Sequence, residues 1–129
     1  MKVLTILFLV FVSTQIAARE GGKNCRVKIT NPEFNNMILA NQCIDFPDDI
    51  SESTYEMAKG LCQPEWDGMN VKVDYVPICE KSTDGRCRFS FHGQPLNFSY
   101  TVYFYSAPPA TSQDNKQYCL AGGGEWSPE

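Results

Sequence analysis

With 129 residues, 43% of them hydrophobic and 20% charged, the chain amounts to one domain's worth of polypeptide. Fifteen acidic residues against 11 basic give a formal charge of −4. That sign excludes nucleic acid as a natural partner, because displacing phosphate counterions takes a basic patch and the local candidates are only the pairs Arg26/Lys28 and Arg86/Arg88.

Residues 1–18 read as a secretory leader. Lys2 is its positive end, residues 3–12 form an apolar run broken only by Thr5, and Ala17-Ala18 offer a cleavage site before Arg19. A run this short does not cross a bilayer core of about 30 Å, so the expectation is a secreted protein (extracellular or periplasmic) with no membrane span, residues 19–129 forming one disulfide-rich domain. Loss of Lys2 with the leader leaves ten basic against 15 acidic residues, a net −5. All six cysteines, Cys25, Cys43, Cys62, Cys79, Cys87 and Cys119, remain in the mature part. An even count in an oxidising compartment implies three disulfides, and at roughly 2–4 kcal/mol each they are a large share of the stability of a small domain.

Cys25-Arg-Val-Lys-Ile-Thr30 alternates strictly, with Cys25, Val27 and Ile29 on one face, and predicts a half-buried strand that stops at Asn31-Pro32. Residues 34–46 carry an apolar run, Met37-Ile-Leu-Ala40, that fits either a buried strand or a helix. Residues 50–62 predict the main helix. Ser53 with Glu56 would form a capping box, whereas Ser51 as cap would staple Ile50 onto Tyr55; Ala58, Leu61 and Cys62 share one face, and Pro64 ends the element.

From Val71 the period becomes two: Val71, Val73, Tyr75, Pro77 and Cys79, then Cys87, Phe89 and Phe91, then Leu96, Phe98, Tyr100, Val102 and Phe104. This predicts a three-stranded meander. Parity sets the turns: a loop over residues 81–85 with Gly85 in the left-handed region puts Cys79 opposite Cys87, which makes a Cys79–Cys87 bridge the expected pairing. A loop over residues 93–96 puts Phe91 against Phe98 and His92 against Asn97. Ala107-Pro-Pro-Ala110 reads as a stiff extended connector, and residues 112–121 as a short helix capped by Ser112, holding Cys119 inside and stopped by Gly122; the glycines that follow let Trp126 return to the body. The fold class is thus α+β, one main helix on an antiparallel sheet of three or four strands plus a short C-terminal helix.

His92, the single histidine, is the only candidate for imidazole acid–base chemistry, yet no local motif gives it a carboxylate partner or the cationic clamp of a nuclease. A hydrolase centred on His92 is therefore the alternative reading. There is no Cys-x-x-Cys pair, the acids Asp45, Asp48, Asp49 and Glu52 lack the spacing of a calcium loop, and Gly122-Gly-Gly lacks the Lys-Ser/Thr of a phosphate loop, so neither metal nor cofactor is expected. Asn97-Phe98-Ser99 is a glycosylation sequon. The suggestive feature for binding is Tyr103 and Tyr105 on the polar side of the last strand, with Trp126 or Trp66 extending an aromatic patch. The function expected is that of a monomeric, non-enzymatic interaction protein, an effector, inhibitor or surface-binding module, acting on a protein or surface through an aromatic and acidic face. A purely structural component of a coat or matrix is a third reading.

Overall fold

The computed structural model describes residues 22–93 and 97–128, so the expected leader over residues 1–18 and part of the 93–96 loop lie outside the described residues. Six strands, β1 (Asn24–Asn31), β2 (Met37–Asp45), β3 (Asn70–Val76), β4 (Arg86–His92), β5 (Asn97–Phe104) and β6 (Glu125–Ser127), form one antiparallel sheet in the order β3-β1-β2-β5-β4-β6. Two short helices, α1 (Glu52–Ala58) and α2 (Ser112–Ala121), complete the chain. The protein is α+β and disulfide-braced, but the sheet dominates: six strands replace the expected three or four, and no single main helix organises it.

β1 alternates as its sequence requires, with Cys25, Val27 and Ile29 buried between more exposed neighbours. The ambiguous apolar run becomes β2, because Asn35 and Asn36 take left-handed backbone (φ 52° and 54°) and fold the chain back onto β1. α1 is capped by Ser51, whose hydroxyl accepts from the Thr54 N–H at 3.2 Å, and Ile50 is buried beside it; the Ser53–Glu56 box is not the one used. The helix is shorter than expected, since residues 59–62 tighten into a 3-10 turn that delivers Cys62 to the core but leaves Leu61 exposed. α2 spans the expected residues, but its cap is Thr111 and not Ser112, in a Thr111–Asp114 capping box.

The β4–β5 register pairs Phe91 with Phe98 and His92 with Asn97, as parity requires. The β3–β4 hairpin does not exist. β3 pairs with β1 at one edge, and residues 77–84 cross the polar face of the sheet to reach β4 on the far side, so β3 and β4 are not neighbours and parity does not relate them. Cys79 therefore bonds to Cys43, and Cys87 to Cys119, with Cys25–Cys62 as the third bridge; the expected Cys79–Cys87 pairing is wrong. The 107–110 segment is a turn and not an extended connector, the Ala110 N–H donating to the Ala107 carbonyl at 3.0 Å.

The core lies on the sheet face that carries Cys25, Val27, Ile29, Ile44, Val102, Phe104 and Cys87. Its aromatic end is Phe46 edge-on to Tyr55 (5.5 Å) with Phe89 stacked on Tyr100 (5.4 Å). Three disulfides in so small a body fit an oxidising environment. Among the described residues no helix is long and apolar enough to cross a membrane.

Candidate functional site

Tyr105 sits under the crossing segment. It is 6% exposed, its hydroxyl donates to the Glu80 carbonyl at 2.7 Å, and the Arg26 guanidinium lies 4.2 Å from its ring centroid. Arg26 also pairs with the Glu80 carboxylate at 3.2 Å, so β1, β5 and the crossing segment are tied together over this one ring. Burial pushes the phenol's pKa above its ordinary value, against the opposing pull of Arg26. Trp126 is turned the other way: register with Cys87 puts its indole on the core side, 5.9 Å from the Phe104 ring and over Gly85. Gly85 has φ +101°, and a Cβ there would run into that indole, so the glycine is required twice over. Trp66 is exposed on the loop before β3.

Tyr103 is the expected contact residue that stays on the open half of the polar face, half-buried. Its neighbours follow from register. Arg86 lies opposite it on β4 and Ser127 beyond on β6; one row away, Thr101 stands between Asp45 and Arg88, with Glu125 opposite Arg88. Cross-strand partners of this kind have Cβ atoms about 5 Å apart, so these side chains form a continuous surface. They line an open cleft of about 440 Å³, bordered by Phe46 and Pro47 at one end and by Glu125, Trp126 and Ser127 of β6 at the other.

The electrostatics of the cleft are bipolar. Arg86 and Arg88 are both exposed, and among the described residues the ion pairs are Arg26–Glu80, Lys59–Glu56 and Lys72–Asp74, none of which uses them. Asp45 is the partly buried member. Desolvation raises its pKa, Asp48 adds repulsion in the same sense, and hydrogen bonding from Asn24 opposes both. The sequence had suggested an aromatic and acidic face; the assembled one has two guanidiniums and a tyrosine in the middle, with one carboxylate toward each end. Two adjacent guanidiniums grip a carboxylate or another oxyanion through paired N–H donors, and flanking carboxylates accept from amide or ammonium groups on either side. Reading residues 86–88 as Arg-Cys-Arg on a strand already places both arginines on one face, and that was the signal available for them.

His92 ends β4 opposite Asn97, exposed, and does not line the Arg86–Arg88 cleft. Asp48, Asp49 and Glu52 cluster before and within the first turn of α1, and no set of three potential metal ligands converges among the described residues. Compared with known proteins, the chain matches no family model, no curated sequence and no solved structure.

Proposed function

We propose that this is a secreted, non-enzymatic interaction protein that holds its partner in the cleft around Tyr103, Arg86 and Arg88. The observation that carries the reading is the exposed pair of guanidiniums on β4 beside Tyr103, without a carboxylate partner among the described residues, on a chain whose net charge is negative. Arginine and tyrosine on a rigid sheet are favoured anchors of protein interfaces, because they offer large, donor-rich contact area at small entropic cost. The partner complements the cleft: an oxyanion, such as an Asp or Glu side chain or a chain terminus, flanked by hydrogen-bond donors for Asp45 and Glu125. The leader-like first 18 residues and the three disulfides support placing this encounter outside the cytoplasm. A hydrolase centred on His92 has weaker support, since that side chain stands exposed at a hairpin end and does not line the Arg86–Arg88 cleft.

The test is retention of a partner from the protein's native extracellular fluid, quantified for the parent protein, for Arg86→Ala/Arg88→Ala/Tyr103→Ser and for His92→Ala. Retention should fall in the triple variant at unchanged thermal midpoint, steepen its salt dependence in the parent, and survive His92→Ala. Equal retention by the triple variant would remove the cleft from consideration.

A further inference from the structure

The opposite, apolar face holds a second concavity. α1 with its 3-10 turn is bolted to β1 by Cys25–Cys62, and α2 is bolted to β4 by Cys87–Cys119. β1 and β4 are three strand spacings apart in the sheet order, about 14 Å, so the two helical arms stand over different strands and leave the middle of the sheet open between them. The result is a cleft of about 610 Å³. Its floor is Val27, Ile44, Val102, Phe89 and Tyr100; Leu61 and Pro64 wall one side, Tyr118 and Ala121 the other. Among the described residues no Asp, Glu, Lys, Arg or His lines it.

Gln42 is the side chain out of character. It lies on the core face between Val27 of β1 and Phe104 of β5, half-buried in the floor, and its side-chain amide makes no hydrogen bond to any described residue. Around the mouth, Leu61 is 37% exposed, Phe91 43% and Tyr118 64%, an apolar rim left facing water.

We propose that this cleft is a binding site for an uncharged, largely apolar small molecule carrying one hydrogen-bonding group, which the Gln42 amide engages. The volume lies within the range of small-molecule sites, and such sites combine apolar walls with very few polar groups that fix orientation. A fatty acid or other anion is disfavoured, because among the described residues no cation lines the cleft to offset desolvation of its charge. A second copy of the chain is disfavoured by shape: a two-fold interface would set concave cleft against concave cleft and enclose a void. The site is separate from the Arg86–Arg88 cleft and does not rest on the function assigned to it, since the two open on opposite faces of the sheet.

The probe is N-phenyl-1-naphthylamine, which is neutral, apolar and carries one N–H donor, titrated by fluorescence into the disulfide-bonded protein. Saturable one-to-one binding with a blue-shifted emission is expected, displaced by a long-chain alcohol and much less by the carboxylate of equal length. Leu61→Glu, at an exposed rim position, should weaken it by about tenfold or more at unchanged thermal midpoint. Arg86→Ala should leave it intact. Absence of saturable binding, or binding indifferent to Leu61→Glu, would overturn the proposal; so would a concentration-dependent dimer that Leu61→Glu dissociates, which would assign the cleft to self-association.

Discussion

Removing the Tyr105 ring should unfold the protein far more readily than removing that of Tyr103, two residues away on the same strand face. Tyr105 is 6% exposed and joins three segments: its own strand, Arg26 on β1 and the Glu80 carbonyl of the crossing segment. Tyr105→Phe deletes only the 2.7 Å hydrogen bond, and because Glu80 is exposed its carbonyl can turn to water, so the expected cost is about 1 kcal/mol. Tyr105→Ser also removes the buried ring and the cation–π contact, for which large-to-small core changes give about 3–5 kcal/mol. For a domain of this size each kcal/mol lowers Tm by about 4–8 °C, giving roughly 5 °C for Phe and more than 12 °C for Ser. Tyr103→Ser, on the open face, should stay within about 1 kcal/mol of the parent. Thermal and urea unfolding of the oxidised proteins, followed by near-UV circular dichroism, measures all three. Equal loss in Tyr103→Ser and Tyr105→Ser would refute the division of the sheet face into a covered and an open half.

Non-reducing peptide mapping should recover Cys79 joined to Cys43 and Cys87 joined to Cys119, and a Cys79–Cys87 peptide would contradict the crossing segment. Cys43→Ala/Cys79→Ala opens a loop with a sequence separation of 36 and should cost about 4 kcal/mol on the chain-entropy account, read from denaturant midpoints. Gly85→Ala meets both a φ of +101° and the Trp126 indole, so a loss of about 1–3 kcal/mol is expected, accompanied by a changed tryptophan emission; an unaltered midpoint would argue against that packing. Asp45 supplies a pH dependence. Its folded-state pKa is raised above its ordinary 3.8, so its protonation favours the fold: that contribution is full below the unfolded value and vanishes as pH rises through the folded one. The stability of Asp45→Asn relative to the parent should therefore increase with pH across that window and level off above it, and a difference that shrinks with rising pH would show the sign to be wrong.

What the sequence made legible was local. β1 shows itself because one face is buried and the next is wet, and the β4–β5 register follows from parity once odd apolar positions on one strand must meet even ones on the next. β2 was ambiguous for a physical reason: with strands on both sides its residues are half-buried on either face, which erases alternation, and the turn signal lay in Asn35-Asn36, two residues that tolerate left-handed backbone. The crossing of residues 77–84 was not legible. Sequential strands usually pair, and nothing in Lys81-Ser-Thr-Asp-Gly85 distinguishes a hairpin loop from the end of a crossover. The same crossing decides the disulfide pairing and the burial of Tyr105, which it covers. Arg86 and Arg88 were visible as a pair, but their value to the site comes from Tyr103 and from the absence of an ion pair, both of which are tertiary facts.

The disulfides also explain why both faces of the sheet can carry open clefts. The only buried residue of α2 is Cys119, and that of α1 is Ala58, with Cys62 just beyond; neither helix presents the broad apolar stripe by which an amphipathic helix normally adheres to a sheet. Hydrophobic burial alone would hold such arms weakly, and an apolar helix packed tightly enough to hold itself would have to spread over β2 and β5 and fill the space between. A cystine fixes an arm at one point while leaving the adjoining sheet uncovered. The same logic applies on the polar side, where Cys43–Cys79 pins the crossing segment at the cross-strand neighbour of Tyr103 and Glu80 covers Tyr105, leaving the β4 side of Tyr103 open. Covalent anchoring thus replaces surface burial at three places, and the area it spares is the area that forms the two clefts.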